Sequence, residues 1–174
     1  PLRVMPVLAL QSRRRVRSRA EGGGILCQAL DGKTGRGDPG GDCAVCKYAA
    51  FTPTGGVPGC DHFINVLTIT VPDMIPLALS FNRTKLRVAS AWLSQANLLG
   101  GGGLPLYAAI YDVYSVLEKN NYGSFANFKV DFVEFAPEML FNAAKEFFAR
   151  QRGKSIVVDE DPEDHAAPAA DPNL

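Results

Sequence analysis

Residues 107–135 read YAAIYDVYSVLEKNNYGSFANFKVDFVEF. Two runs rich in β-branched and aromatic residues, Tyr107–Leu117 and Phe125–Phe135, flank the turn sequence Asn120-Asn121-Tyr122-Gly123, which predicts a β-hairpin. Alternation puts Tyr107, Tyr111 and Val113 on one face of the first run, with Ile110, Tyr114 and Val116 on the other. On the second run Phe128, Val130 and Phe132 oppose Lys129 and Asp131. One face must line a core; the other is free to meet solvent or a ligand.

Upstream of the hairpin the period changes. From Thr84 to Leu99 the apolar residues Leu86, Ala89, Leu93 and Ala96 recur at helical spacing with Trp92 beside them. Thr84 is the expected N-cap, and Gly100–Gly103 ends the helix. Before it, His62–Val71 and Leu77–Phe81 read as strands separated by Pro72-Asp73. Arg3–Leu10 is a weaker strand, placed at a sheet edge because Pro6 interrupts it. Downstream, Pro137–Gln151 is an amphipathic helix with the stripe Met139, Leu140, Ala143, Ala144, Phe147 and Phe148. Glu138 and Arg150 suit its dipole.

The order β-β-β-α-β-β is the chain order of an OB-fold barrel, although other α+β folds share parts of it. The expected class is therefore α+β, mainly β: an OB-fold-like five-stranded barrel with an insertion after its first strand and a C-terminal helix. The chain divides into an N-terminal edge strand and basic loop (1–24), a cysteine-bearing insertion (25–61), the OB-like body with its helix (62–152) and an acidic tail (153–174).

The insertion has its own logic. Asp31–Asp42 holds Gly32, Gly35, Gly37, Gly40, Gly41 and Pro39, which exclude regular structure. A stretch this poor in apolar residues needs another source of order. The spacing Cys27-x15-Cys43-x2-Cys46-x13-Cys60 supplies one. Cys43 and Cys46 sit on one tight knuckle, and Cys27 and Cys60 complete a tetrahedron of thiolates. Such a set favours zinc or an iron–sulfur centre, and the expectation is one structural Zn2+ per chain with all four positions filled by protein. Two disulfides do not suit a cytoplasmic chain, and a redox pair lacks its βαβ setting. His62 is close enough in sequence to substitute for one ligand, but it reads better as a residue at a strand start.

Several function classes are disfavoured. No run of apolar residues is long enough for a membrane helix, and the basic residues Arg13, Arg14, Arg15, Arg17 and Arg19 follow the apolar Leu2–Leu10 instead of preceding it, contrary to a secretory signal. Cytoplasm is the expected location. Gly32-Lys33-Thr34 imitates the end of a phosphate-binding loop, but Cys27 stands where that motif needs its first Gly. No catalytic residues are expected. His62 and His165 lie far apart in sequence, and Asp112, Glu118, Asp131 and Glu134 alternate as solvated strand residues would.

Charge points towards nucleic acid. The chain holds 18 Lys+Arg and 18 Asp+Glu, but six of the acids fall in residues 159–174, so the preceding part sets 18 bases against 12 acids, a net of +6. Single strands are bound by a positive groove and by aromatic faces on which bases stack. The candidate contacts are Lys47, Arg83, Lys85, Arg87 and Lys129 for phosphates, with Tyr107, Tyr111 and Phe128 for bases. The tail, with six acids and no aromatic residue after Val158, is expected to be disordered. Tethered beside a basic groove, it would compete with nucleic acid and dock replication proteins.

The block Leu26-Cys27, Asp31-Gly32, Gly37-Asp38-Pro39-Gly40-Gly41-Asp42-Cys43-x-x-Cys46 and Cys60 resembles uncharacterised phage and metagenomic proteins. Lys47 stands where Pro often follows the second knuckle cysteine. In architecture the whole resembles the single-stranded DNA-binding proteins of tailed phages, with an OB-fold, a zinc-bearing segment and an acidic tail. That resemblance implies cooperative, sequence-tolerant coating of single strands in replication or recombination, in the host cytoplasm. The other reading is a zinc-ribbon adaptor joining proteins of a replication, transcription or virion complex.

Overall fold

The computed structural model describes residues 1–51, 53, 56–120 and 123–154. Its order is β1 (Leu2–Val16), β2 (Ile25–Ala29), β3 (Thr34–Gly37), β4 (Gly41–Asp42), β5 (Asp61–Thr70), β6 (Pro76–Asn82), α1 (Leu86–Leu98), β7 (Ala109–Asn120), β8 (Gly123–Phe135) and α2 (Glu138–Gln151). The class is α+β and mainly β, as the sequence implies. All strand pairs are antiparallel and belong to one open sheet.

The first strand is the axis of this sheet, not its edge. Along one side Val4–Arg14 pairs with β5. The other side is shared: Leu2–Val4 pairs with β7, and Arg13–Val16 pairs with β2. Pro6 is tolerated because the register against β5 shifts between Pro6 and Leu8, and at a bulge a missing N–H breaks the ladder least. The basic run Arg13–Val16, expected in a loop, continues the strand. Its guanidinium groups lie over aromatic rings, that of Arg14 5.6 Å from the Phe63 ring centre and that of Arg15 3.8 Å from Tyr48.

Alternation along β1 feeds two cores, one on each face. Val4 joins Ile64, Val66, Phe81, Tyr111 and the helical Trp92 under α1. Met5 and Val7 join Ile69 and Tyr107 under α2, whose Leu140, Phe141, Ala144, Phe147 and Phe148 pack there. Met139, expected in that stripe, is exposed. Two buried polar side chains are paired within the sheet: Asn65 donates to Ser12 Oγ at 2.9 Å and accepts from Ser80 at 2.7 Å, while Thr68 donates to the Leu77 carbonyl at 2.9 Å.

The five strands of the expected body lie in the order β6-β5-β1-β7-β8. A closed five-stranded barrel is not formed: among the described residues β6 and β8 make no ladder with each other. The helix α1 lies across that gap. Trp92 stands 6.1 Å from Phe81 and 5.5 Å from Tyr111, edge to face, and Phe81 meets Phe128 of β8 at 5.3 Å. Aromatic packing thus replaces the missing hydrogen bonds. The insertion is also less separate and more regular than expected: β2 extends the main sheet, and the glycine-rich run forms the short strands β3 and β4, because backbone pairing to β2 and β3 asks nothing of side chains. Among the described residues no helix is long and apolar enough to cross a membrane. The turn residues 121 and 122 and the tail from 155 onward lie outside the described residues.

Phe81 is fully buried where β6, α1 and β8 meet. Phe81→Ala is expected to cost about 3–5 kcal/mol in urea unfolding; a loss below about 1 kcal/mol would mean that this contact does not hold the open sheet together. A second expectation concerns pH. Arg3 donates to Asp112 through Nε at 2.8 Å and Nη2 at 2.9 Å, joining β1 to β7. That hydrogen bond holds the Asp112 carboxyl below its ordinary 3.8. The pair therefore stabilises the fold above 3.8 and ceases to do so as pH falls through the lowered value. Thermal melts should lose less on acidification for Asp112→Asn than for the parent chain, and parallel acid limbs would show that the pair contributes nothing.

Candidate functional site

Two features stand out: a groove between α1 and β8, and a cavity among the cysteines. The groove begins at the turn before α1. Arg83 adopts a left-handed backbone with φ 49, which costs a non-glycine residue on the order of 1–2 kcal/mol. Its guanidinium is held by Asp61, Nε to Oδ1 at 3.1 Å and Nη2 to Oδ2 at 3.3 Å. Thr84, expected as N-cap, is not one: a single 3-10 turn, Arg83–Lys85, leads into α1 without a side-chain cap.

The groove is open and has a volume of about 720 Å³. Arg83, Arg87, Trp92 and Gln95 form the helical wall, and Phe125, Asn127, Phe128 and Lys129 form the strand wall. Lys85 Nζ sits 4.9 Å from the centre of the Phe128 ring. Glu118 is the single lining carboxylate, and Asn127 donates to it at 3.0 Å. Lys129 is paired with Asp131 at 2.7 Å, whose hydrogen bond raises the lysine pKa and keeps it charged. Positive charge thus exceeds negative along the lining, and two phenylalanines share it.

Four of the eight expected nucleic-acid residues, Arg83, Arg87, Phe128 and Lys129, line the groove, and Lys85 adjoins it against the Phe128 ring. Three do not. Lys47 lies in the cysteine module, 5.0 Å from the Tyr48 ring. Tyr107 belongs to a 3-10 turn before β7 and is buried against Phe141 and Phe148. Tyr111 is fully buried between Trp92 and Phe132, and burial pushes its hydroxyl up to about 12. Neither tyrosine presents a face for stacking, because Tyr111 packs into the core under α1 and Tyr107 into the core under α2. Sequence reasoning missed Phe125, Asn127 and Asp61. Asp61 carried no periodic signal, and its role appears only when β5 lies beside the start of α1.

All four cysteines are free thiols, half-buried. Among the described residues no group of three or more His, Cys, Asp or Glu stands ready-made as a metal cluster. Yet Cys27, Cys43, Cys46 and Cys60 line one small, largely enclosed cavity of about 10 Å³. Cys27 is presented by β2 and Cys60 immediately precedes β5, while Cys43 and Cys46 share a tight turn in which the Cys46 N–H donates to the Cys43 carbonyl at 3.4 Å. The Cys43 N–H donates to Lys33 O at 2.8 Å and that of Cys60 to Tyr48 O at 2.9 Å, so backbone bonds fix the loop around the sulfurs. Burial pushes the Cys43 and Cys60 thiols up, and the neighbouring Arg13 pulls the other way. His62 does not line the cavity; its Nε2 is buried without a hydrogen-bond partner, and burial lowers its pKa.

The chain belongs to the Pam3 phage gp34-like protein family, whose model matches residues 2–157. The phage affiliation expected from the cysteine block is thereby established. No curated protein and no solved structure matches the chain.

Gly35 is buried beside the cysteine cavity, and a Cβ built on it would stand 2.8 Å from Cys27 Sγ. Gly35→Ala should displace that sulfur and destabilise the chain by about 1–3 kcal/mol. Equal denaturation midpoints for the two chains would show that the sulfur position is not constrained.

Proposed function

We propose that this phage-family chain is a non-enzymatic, sequence-tolerant single-stranded DNA-binding protein acting in replication or recombination in the host cytoplasm. The observation that carries this reading is the convergence of Arg83, Lys85, Arg87 and Lys129 with Phe125 and Phe128 on one open groove. Cations can follow a phosphate backbone, and aromatic edges and faces in the same groove can take unstacked bases without regard to sequence. The groove is open, and its lining holds one carboxylate, Glu118, with no histidine beside it. In this reading β1, β5, β6, β7, β8 and α1 are an OB-like body held open by its helix. The acidic residues of the tail compete for the groove and recruit replication partners.

Fluorescence anisotropy with labelled oligo(dT) tests the proposal. Binding should weaken steeply with salt, and Arg87→Gln should lower the slope of log affinity against log salt by about 0.7, as one lost phosphate contact does for a single strand. Removal of residues 159–174 should tighten binding. Trp92 is the sole tryptophan and lies in the groove wall, so its emission should change on titration. No binding at low salt, with Trp92 emission unmoved, would refute the reading.

The adaptor reading has its own support. Val45, Phe51 and Val57 of the cysteine module are 84%, 71% and 80% exposed, an apolar surface suited to a protein partner. A stoichiometric, nuclease-resistant protein complex without oligonucleotide binding would favour it.

A further inference from the structure

We infer that the cysteine cavity is a structural zinc site, closed by Cys27, Cys43, Cys46 and Cys60 and charge-balanced by Arg13 and Arg15. The inference is independent of what the groove binds. Four soft sulfur donors around one space select a thiophilic ion over magnesium or calcium. The volume of about 10 Å³ is that of roughly one water-sized sphere. It has room for a single ion. Carboxylate and imidazole side chains are absent from the lining, so the four thiolates fill the tetrahedron and leave no position open for a reacting water.

The surroundings favour the same ion. A zinc held by four thiolates carries a net charge of minus two, an expensive group to bury unless it is compensated. Arg13 and Arg15 line the cavity beside the sulfurs. The Arg15 side chain is only 19% exposed, donates to the Asp38 carbonyl at 3.1 Å, pairs with the Asp38 carboxylate at 3.5 Å and lies over Tyr48. Arg13 has no carboxylate partner in the described structure. A half-buried cation without a carboxylate partner beside four thiols is compensated once those thiols hold a doubly negative centre, and Arg13 is therefore the principal counter-charge, with Arg15 sharing its charge with Asp38. Gly35, which leaves room for Cys27 Sγ, belongs to the same arrangement. Binding on this scale, on the order of 10 kcal/mol or more for structural zinc, would order a loop that buries few apolar residues.

Elemental analysis of the purified full-length chain should find one zinc per chain. After chelation, titration with Co2+ should produce the intense sulfur-to-cobalt absorption and the d–d bands of a tetrahedral four-sulfur site, saturating at one equivalent. Cys43→Ser should abolish the stoichiometric metal. Because that variant can fail to fold, Arg13→Gln keeps all four ligands and should lower zinc affinity by about tenfold, as loss of an outer-shell partner does. Metal-free protein with four titratable thiols and no cobalt spectrum would overturn the inference. So would bound iron, disulfides, or an Arg13→Gln chain with unchanged affinity.

Discussion

The structure depends on one strand being paired along both edges. β1 carries β5 on one side and divides the other between β7 and β2, so three parts of the chain distant in sequence share a single backbone ladder. Its alternation also supplies both cores, Val4 to one and Met5 and Val7 to the other. A slip of one residue would exchange these sets and bury the wrong groups. The bulge at Pro6 and the Arg3–Asp112 pair help fix the register at the end where it matters most.

From this arrangement the groove and the cavity become neighbours. β5 begins at Asp61, directly after Cys60, and Asp61 holds Arg83 at the start of α1. Whatever fixes Cys60 therefore also fixes the carboxylate that orients a groove cation. The strained backbone at Arg83 is retained because this ion pair and the packing of α1 over-determine it. Cysteine module and groove are thus linked through two adjacent residues and one ion pair.

Much of this was legible in the sequence. The hairpin, both helices and the strand order follow from periodicity and turn residues, which are local signals. The cysteine spacing brought together a set that the fold does gather around one cavity. What failed depended on tertiary context. Pro6 and the arginine run point to an edge and a loop, because a bulge and guanidinium groups lying over aromatic rings cannot be seen in one strand alone. Alternation leaves Tyr107 and Tyr111 free to meet a ligand because it separates two faces without saying what covers each; Trp92 of α1 covers Tyr111, and Phe141 and Phe148 of α2 cover Tyr107. The closed barrel failed because whether β6 reaches β8 depends on how deeply α1 inserts between them, and no local pattern encodes that depth.

The central claim is that the space between α1 and β8 holds a nucleic-acid strand, and hydrogen exchange tests it most directly. With saturating oligo(dT), amides of residues 83–95 and 125–130 should exchange more slowly, while those under α2 should be unchanged. Slowing confined to the cysteine module, with the groove walls unaffected, would contradict the account.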